Sequence, residues 1–250
     1  MNSIATSSIV FACVFAGALV GIALRATLPK DHLADESKGV VTAGMGLVAT
    51  LAALVLGLLI ASAKSSYDAQ SAELTAMSAK AVLLDRVLAH YGPEAREARE
   101  VLRSSVVRIL DQMWSEDRTG SSETPRSAGG ELLADKIQEL SPKDDAQRSL
   151  QAHAISLVMA LGQTRWLMYE QRVTSISMPL LIVLTFWIIT LFISFGLFTP
   201  LNATTVVSLL VSALSVSGAI FLILELYTPY GGLIQVSSAP LRSALAQLGK

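Results

Sequence analysis

Four stretches of the chain are apolar all round, with no polar face, for about 20 residues each. They run from Ile4 to Leu24, Val40 to Ala63, Met178 to Phe198 and Ala203 to Leu224. A bilayer's hydrocarbon core is about 30 Å thick and a helix rises about 1.5 Å per residue, so each stretch predicts one crossing. The first lacks the basic n-region and the small-x-small cleavage site of a signal peptide, and is read as a retained span.

Between the second and third stretches the pattern changes. Leu74, Met77, Ala81, Leu84, Leu88 and Tyr91 are spaced by threes and fours, a heptad seam that prolongs the second span without a breaker. Gly92-Pro93 predicts its end, with glycine past the last turn and proline opening the next helix. From Pro93 to about Met113, Ala98, Leu102, Val106, Ile109 and Met113 share one face, while Glu94, Arg96, Glu97, Arg99, Glu100 and Arg103 form a solvated one. Ser115 to Gly130 reads as a linker, followed by a short helix to Leu140. Ser141 as N-cap, Pro142, Asp144 and Asp145 predict a last helix carrying Leu150, Ala154, Leu157 and Leu161. No strand-type alternation and no repeat occurs.

The expected fold class is an all-α membrane protein, four transmembrane helices with a helical cytoplasmic domain inserted between spans 2 and 3. The boundaries are 1–63 for spans 1 and 2, 64–177 for the helical domain, 178–225 for spans 3 and 4, and 226–250 for a cytoplasmic C-terminal segment. The seam asks for a partner, either another helix of one antiparallel bundle or the same helix of a second subunit. Its six residues are the candidate oligomer seam.

Charge follows this division. Of the 19 Lys/Arg and 20 Asp/Glu in the chain, 14 and 16 lie between Lys64 and Arg172. The 250 residues are 52% hydrophobic and only 16% charged, with a net charge of -1, which argues against a nucleic-acid partner, since such a partner normally requires a basic face. One cysteine, Cys13, builds neither a disulfide framework nor a thiolate metal site. The uncharged turn from Thr199 to Asn202 fits the translocated side. Both termini and the helical domain are then cytoplasmic in a bacterial inner membrane. Arg25, Lys30 and Lys38 on the opposite side run against that orientation.

Inside the spans, small residues recur at helical spacing. Gly17 and Gly21 form a GxxxG after Cys13; Gly46, Thr50, Ala53, Gly57 and Ala61 form a stripe in the second span. Ser208, Ser212, Ser215 and Ala219 form one in the fourth. Such stripes let helix backbones approach closely, or leave room for water and ions along a narrow path. Arg25, Lys38, Lys64 and Glu225 are the charges placed to act at its mouths, and Glu225 is also placed to pair with Lys64. Asp31, His32, Asp35 and Glu36 look like metal ligands but sit where such groups are ordinarily solvated, so no metal is expected. His32, His90 and His153 are scattered, and no HExxH, phosphate loop, GxGxxG or GxSxG is present. Neither an enzyme nor a cofactor is expected.

Several stretches carry a resemblance. Leu28-Pro29, His32-Leu33, Ser37-Lys38, Gly46-Leu47-Val48-Ala49-Thr50 and the run from Leu54 to Ser66 resemble a bacterial bestrophin-like family of unknown function. Lys80, Leu83-Leu84-Asp85-Arg86, His90-Tyr91-Gly92-Pro93-Glu94 and Ser237-Ser238-Ala239-Pro240-Leu241 fit it too. The onward likeness to bestrophins, pentameric anion channels, rests on the span order and on Pro229-Tyr230-Gly231, similar to their Asn-Pro-Phe-Gly. Gly232-Leu233-Ile234 replaces the acidic run that helps bind calcium there, and the small residues of span 2 replace their bulky apolar neck. The resemblance thus implies a channel without that clasp or that neck. The functional expectation is a homo-oligomer, a pentamer by resemblance, embedded in lipid and passing small inorganic ions, anions by the same resemblance. The alternative is a non-conducting scaffold or sensor whose cytoplasmic bundle binds a protein.

Overall fold

Helix is the only regular structure among the described residues, as the sequence pattern requires. A computed structural model describes residues 2–29, 35–114, 128–173, 178–200 and 202–250. The helices are α1 (Ser3–Thr27), α2 (Asp35–Tyr91), α3 (Arg96–Trp114), α4 (Ala128–Gln138), α5 (Asp145–Val173), α6 (Met178–Phe198), α7 (Ala203–Leu226) and α8 (Ala239–Leu245). Four are long and apolar enough to cross a membrane: α1, α6, α7 and the part of α2 from Lys38 onward.

The chain divides into two compact units, 1–66 with 175–228, and 67–174 with 229–250. In the first, Asn2 caps α1 by accepting from the Ile4 amide at 3.2 Å, and Asn202 caps α7 by accepting from the Thr205 amide at 3.0 Å. Val14 and Ala18 of α1, Leu184 and Ile188 of α6, and Ala213 and Ile220 of α7 form its interior. α1 packs on α6 and α7. Glycine sets the approach of α1 to α6. A Cβ on Gly21 would lie 2.0 Å from the Ile193 carbonyl oxygen, and one on Gly196 would lie 2.2 Å from that of Ala18.

In the second unit, Gly92 stops α2 in a conformation only glycine adopts easily, φ 129°, and a short 3-10 turn from Pro93 to Ala95 leads into α3. Side chains of α5 cap two other helices. Gln147 Nε2 donates to the Tyr91 carbonyl at 3.0 Å, and Gln151 Nε2 donates to those of Ile137 and Leu140, each at 2.8 Å. The segment after α7 belongs to this unit. Trp114 Nε1 donates to the Val236 carbonyl at 3.0 Å, Tyr67 to that of Gln235 at 3.1 Å, and Tyr230 meets Trp114 edge to face.

Several boundaries differ from those read in the sequence. α2 begins at Asp35, ahead of the expected span start at Val40, and α1 continues past the expected end at Leu24 to Thr27, before Pro29. α4 begins at Ala128, so Gly129 and Gly130 are helical and the linker ends earlier. α5 starts at Asp145, and its cap is Asp144, whose Oδ1 accepts from the Gln147 amide at 2.7 Å. Ser141 and Pro142 precede the helix because Asp144 reaches that amide directly. Most of the linker, with Asp31 and His32, lies outside the described residues.

Candidate functional site

The two sets of positions singled out on α2 have opposite fates. Leu74, Met77, Ala81, Leu84, Leu88 and Tyr91 are all buried, none more than 4% exposed, in a core shared with Ala98 and Leu102 of α3, Ile137 of α4 and Ala154 of α5. Of the two partners that the sequence leaves open for the seam, the chain's own helices α3, α4 and α5 fill it. At about 100° per residue, the seam continues the face of Ala52, Leu59 and Ala63, which is also buried, rather than the small-residue stripe.

Gly46, Thr50, Ala53, Gly57 and Ala61 are exposed, every one. A Cβ added at Gly46 or Gly57 would meet nothing within 4 Å. The apolar window of α2 is 11% buried within the chain, against 28% for α1, 39% for α6 and 28% for α7. Roughly a quarter turn from the small stripe, Leu47, Leu51, Leu54 and Leu58 are exposed as well. α2 therefore presents one buried face, one open face of small groups and one open face of leucines. On the small face Thr50 donates its hydroxyl to the Gly46 carbonyl at 2.9 Å, so its own lone pairs point outward.

On α7, Ser208, Ser212 and Ser215 are exposed and Ser217 is buried. Ser215 donates to the Val211 carbonyl at 2.8 Å. Of the charged candidates, Lys38 and Lys64 are exposed, Arg25 is half-buried, and Glu225 is buried at 3% exposure. The GxxxG of α1 is used inside the chain, against α6.

The sequence reading missed a charge clamp in the second unit. Arg99 donates from Nε and Nη2 to the two oxygens of Asp85 at 2.8 and 2.9 Å, and the Gly249 amide donates to the same carboxylate at 3.2 Å. Asp85 is 4% exposed, and its hydrogen bonds raise the Arg99 pKa further above its ordinary value. Asp85 one turn from the seam was a legible sign of a buried ion pair. Its partners, 14 and 164 residues away, were not.

An open stripe of small groups on a membrane helix fits a wall along which another body or a solvated path runs. Residues 12–241 match the bestrophin-like domain. The chain belongs to the bestrophin-like family. Its fold is similar to crystal structures of a bacterial bestrophin homolog from Klebsiella pneumoniae. A form of that homolog with a tryptophan-to-alanine mutation superposes with a TM-score of 0.73 at 15% identity, covering 99% of this chain and 97% of that one. A form with a leucine-to-threonine mutation gives 0.68 at 16% identity, covering 96% and 97%. No curated protein matches the sequence. The bestrophin-like segment after α7 carries Tyr230 buried against Trp114, and Leu233 is 76% exposed where the calcium-binding acidic run of the resemblance would stand.

Proposed function

We propose that this bestrophin-like protein is a homo-oligomeric ion channel in which the small-residue stripe of α2 lines an axial path for anions. The observation that carries the reading is that Gly46, Thr50, Ala53, Gly57 and Ala61 are all exposed in a single chain. Small residues facing lipid forfeit dispersion contacts that larger side chains would make, whereas small residues along an axis leave room for ions and water. The adjacent leucine face supplies apolar surface for a neighbouring subunit's helix. Ser208, Ser212 and Ser215 of α7 are further candidates for packing or for the wall. Arg25 and Lys38 give one mouth a positive potential, which concentrates anions and weakens as salt rises. Lys64 and Glu225 belong to the other mouth. In this proposal five subunits surround the path, and the second unit and both termini lie on the cytoplasmic side of a bacterial inner membrane.

Reconstitution tests it. Bilayers holding the protein should pass chloride in preference to sodium, and Lys38→Glu should move the reversal potential toward cations. Gly57→Phe should cut the flux while leaving each subunit folded, because nothing in the chain lies within 4 Å of a Cβ there. A silent bilayer containing correctly assembled oligomer would defeat the channel and leave the scaffold.

A further inference from the structure

The second unit holds a cavity of about 380 Å³ between α2, α3, α4, α5 and α8. That volume falls at the lower end of the range for small-molecule sites, about 300–1,000 Å³. Its walls are almost wholly apolar, built from Met77, Ala81, Val106, Leu133, Val158 and Leu161 among others. Arg165 of α5 stands in the same wall, half-buried. Burial and the neighbouring Arg108 guanidinium both lower its pKa, so its surroundings disfavour the charge it carries. A guanidinium still keeps its proton at any physiological pH. Among the described residues no carboxylate pairs with Arg165; Glu131, which also lines the cavity, is solvent-exposed and has a partner of its own. The hollow thus combines apolar walls with a cation that no carboxylate among the described residues pairs.

We propose that this cavity binds a free medium-chain fatty acid, with the acyl chain against the apolar walls and the carboxylate on Arg165. A purely apolar occupant would strip water from the guanidinium and return nothing to it. A cationic amphiphile would meet Arg165 and Arg108 together. A two-chain phospholipid, or a bulky headgroup, exceeds what a space of this size admits. A carboxylate answers the fork of the guanidinium with two charge-assisted hydrogen bonds, and one short chain matches the volume.

Equilibrium binding of labelled decanoate to the full-length protein in lipid nanodiscs, with protein-free discs subtracted, reads the proposal directly. Saturable binding of one decanoate per chain is expected, and decanol should bind about tenfold more weakly or worse, the worth of a hydrogen bond to a charged group. Arg165→Gln should reduce decanoate affinity by about the same factor and leave decanol unchanged. Arg165→Lys keeps the cation but loses the fork, so its decanoate affinity should fall between those of wild type and Arg165→Gln, which separates charge from folding. Gly162→Leu adds a side chain where a Cβ meets nothing within 4 Å, on the cavity wall, and should block binding by filling it. Equal decanoate affinity in wild type and Arg165→Gln would overturn the proposal. So would equal loss in the Lys and Gln variants, displacement of decanoate by equimolar lysophosphatidylglycerol, or binding seen only after the oligomer is dissociated, which would mean that a second copy fills the cavity.

Discussion

Replacing Gly21 by alanine tests the packing of α1 on α6 at its tightest point. The added Cβ would sit 2.0 Å from the Ile193 carbonyl oxygen, 2.9 Å from its carbon and 3.0 Å from the Leu197 amide nitrogen, where ordinary contact begins at 3.4 Å. All three neighbours are backbone, so no rotamer change relieves the clash and the helices must separate. Overpacking of that kind costs about 1–3 kcal/mol. Alanine also gains about 1 kcal/mol over glycine in helix propensity, so the absolute change understates the clash. Gly46→Ala is the right reference, because it carries the same propensity gain with nothing within 4 Å. The difference between the two variants should therefore be about 1–3 kcal/mol, or about 2–4 °C in Tm for each kcal/mol on the scale of domains this size. Thermal melts of both proteins in one detergent, followed through the loss of helical circular dichroism, measure it. Gly196→Ala should match Gly21→Ala, and Gly17→Ala, whose Cβ would stand 3.2 Å from a flexible Ile189 side-chain carbon, should cost less. Equal melting temperatures for Gly21→Ala and Gly46→Ala would show that α1 and α6 do not interlock as described.

Other outcomes follow from the second unit. Leu84→Asp buries a carboxylate at a position with no exposure, so it should unfold the unit and yield aggregate in size-exclusion chromatography rather than smaller folded oligomers. Asp85→Ala leaves Arg99 partly buried without its partner and the Gly249 amide without its acceptor. It should cost about 2–4 kcal/mol and speed proteolysis after Ser238, read by denaturant titration and limited digestion. Gly162→Ala should stabilise by up to about 1 kcal/mol in the same titration, because α5 gains helix propensity at a site with open space. The hydrogen bond from Lys143 lowers the Glu94 pKa below its ordinary 4.5, so the stabilisation from this pair is present above pH 4.5 and lost as pH falls through the lowered value. Both side chains are exposed, so the effect should be small and vanish in high salt, and Lys143→Met should flatten acid melts in that window.

The spans were legible because lipid demands long runs without polar interruption, and nothing else in the chain imitates such runs. Gly92-Pro93 was legible because one residue type suits that backbone angle. What periodicity does not disclose is which surface faces which. The seam from Leu74 to Tyr91 and the stripe from Gly46 to Ala61 each announce a contact, yet one is consumed by α3 and α5 while the other stays open. Only the long-range placement of Leu102, Ile137 and Ala154 decides between them. The GxxxG of α1 was visible while its counterpart, Gly196, was not, since a lone glycine in a span has no spacing to mark it. Arg165 lay unnoticed for a similar reason, its meaning coming from the hollow around it rather than from its neighbours in sequence.

The reciprocal glycine notches also set an order of events during synthesis. Gly21 leaves the ribosome long before Ile193 and Gly196, its partners on α6. At about 5–20 residues per second that interval is on the order of ten seconds or more. Throughout it, α1 sits in the bilayer with its closest-packing surface against lipid tails, which cannot fill a groove cut for a carbonyl. A nascent chain halted before α6 would thus present an uncommitted helix to membrane quality control, and α6 insertion is the step that retires it.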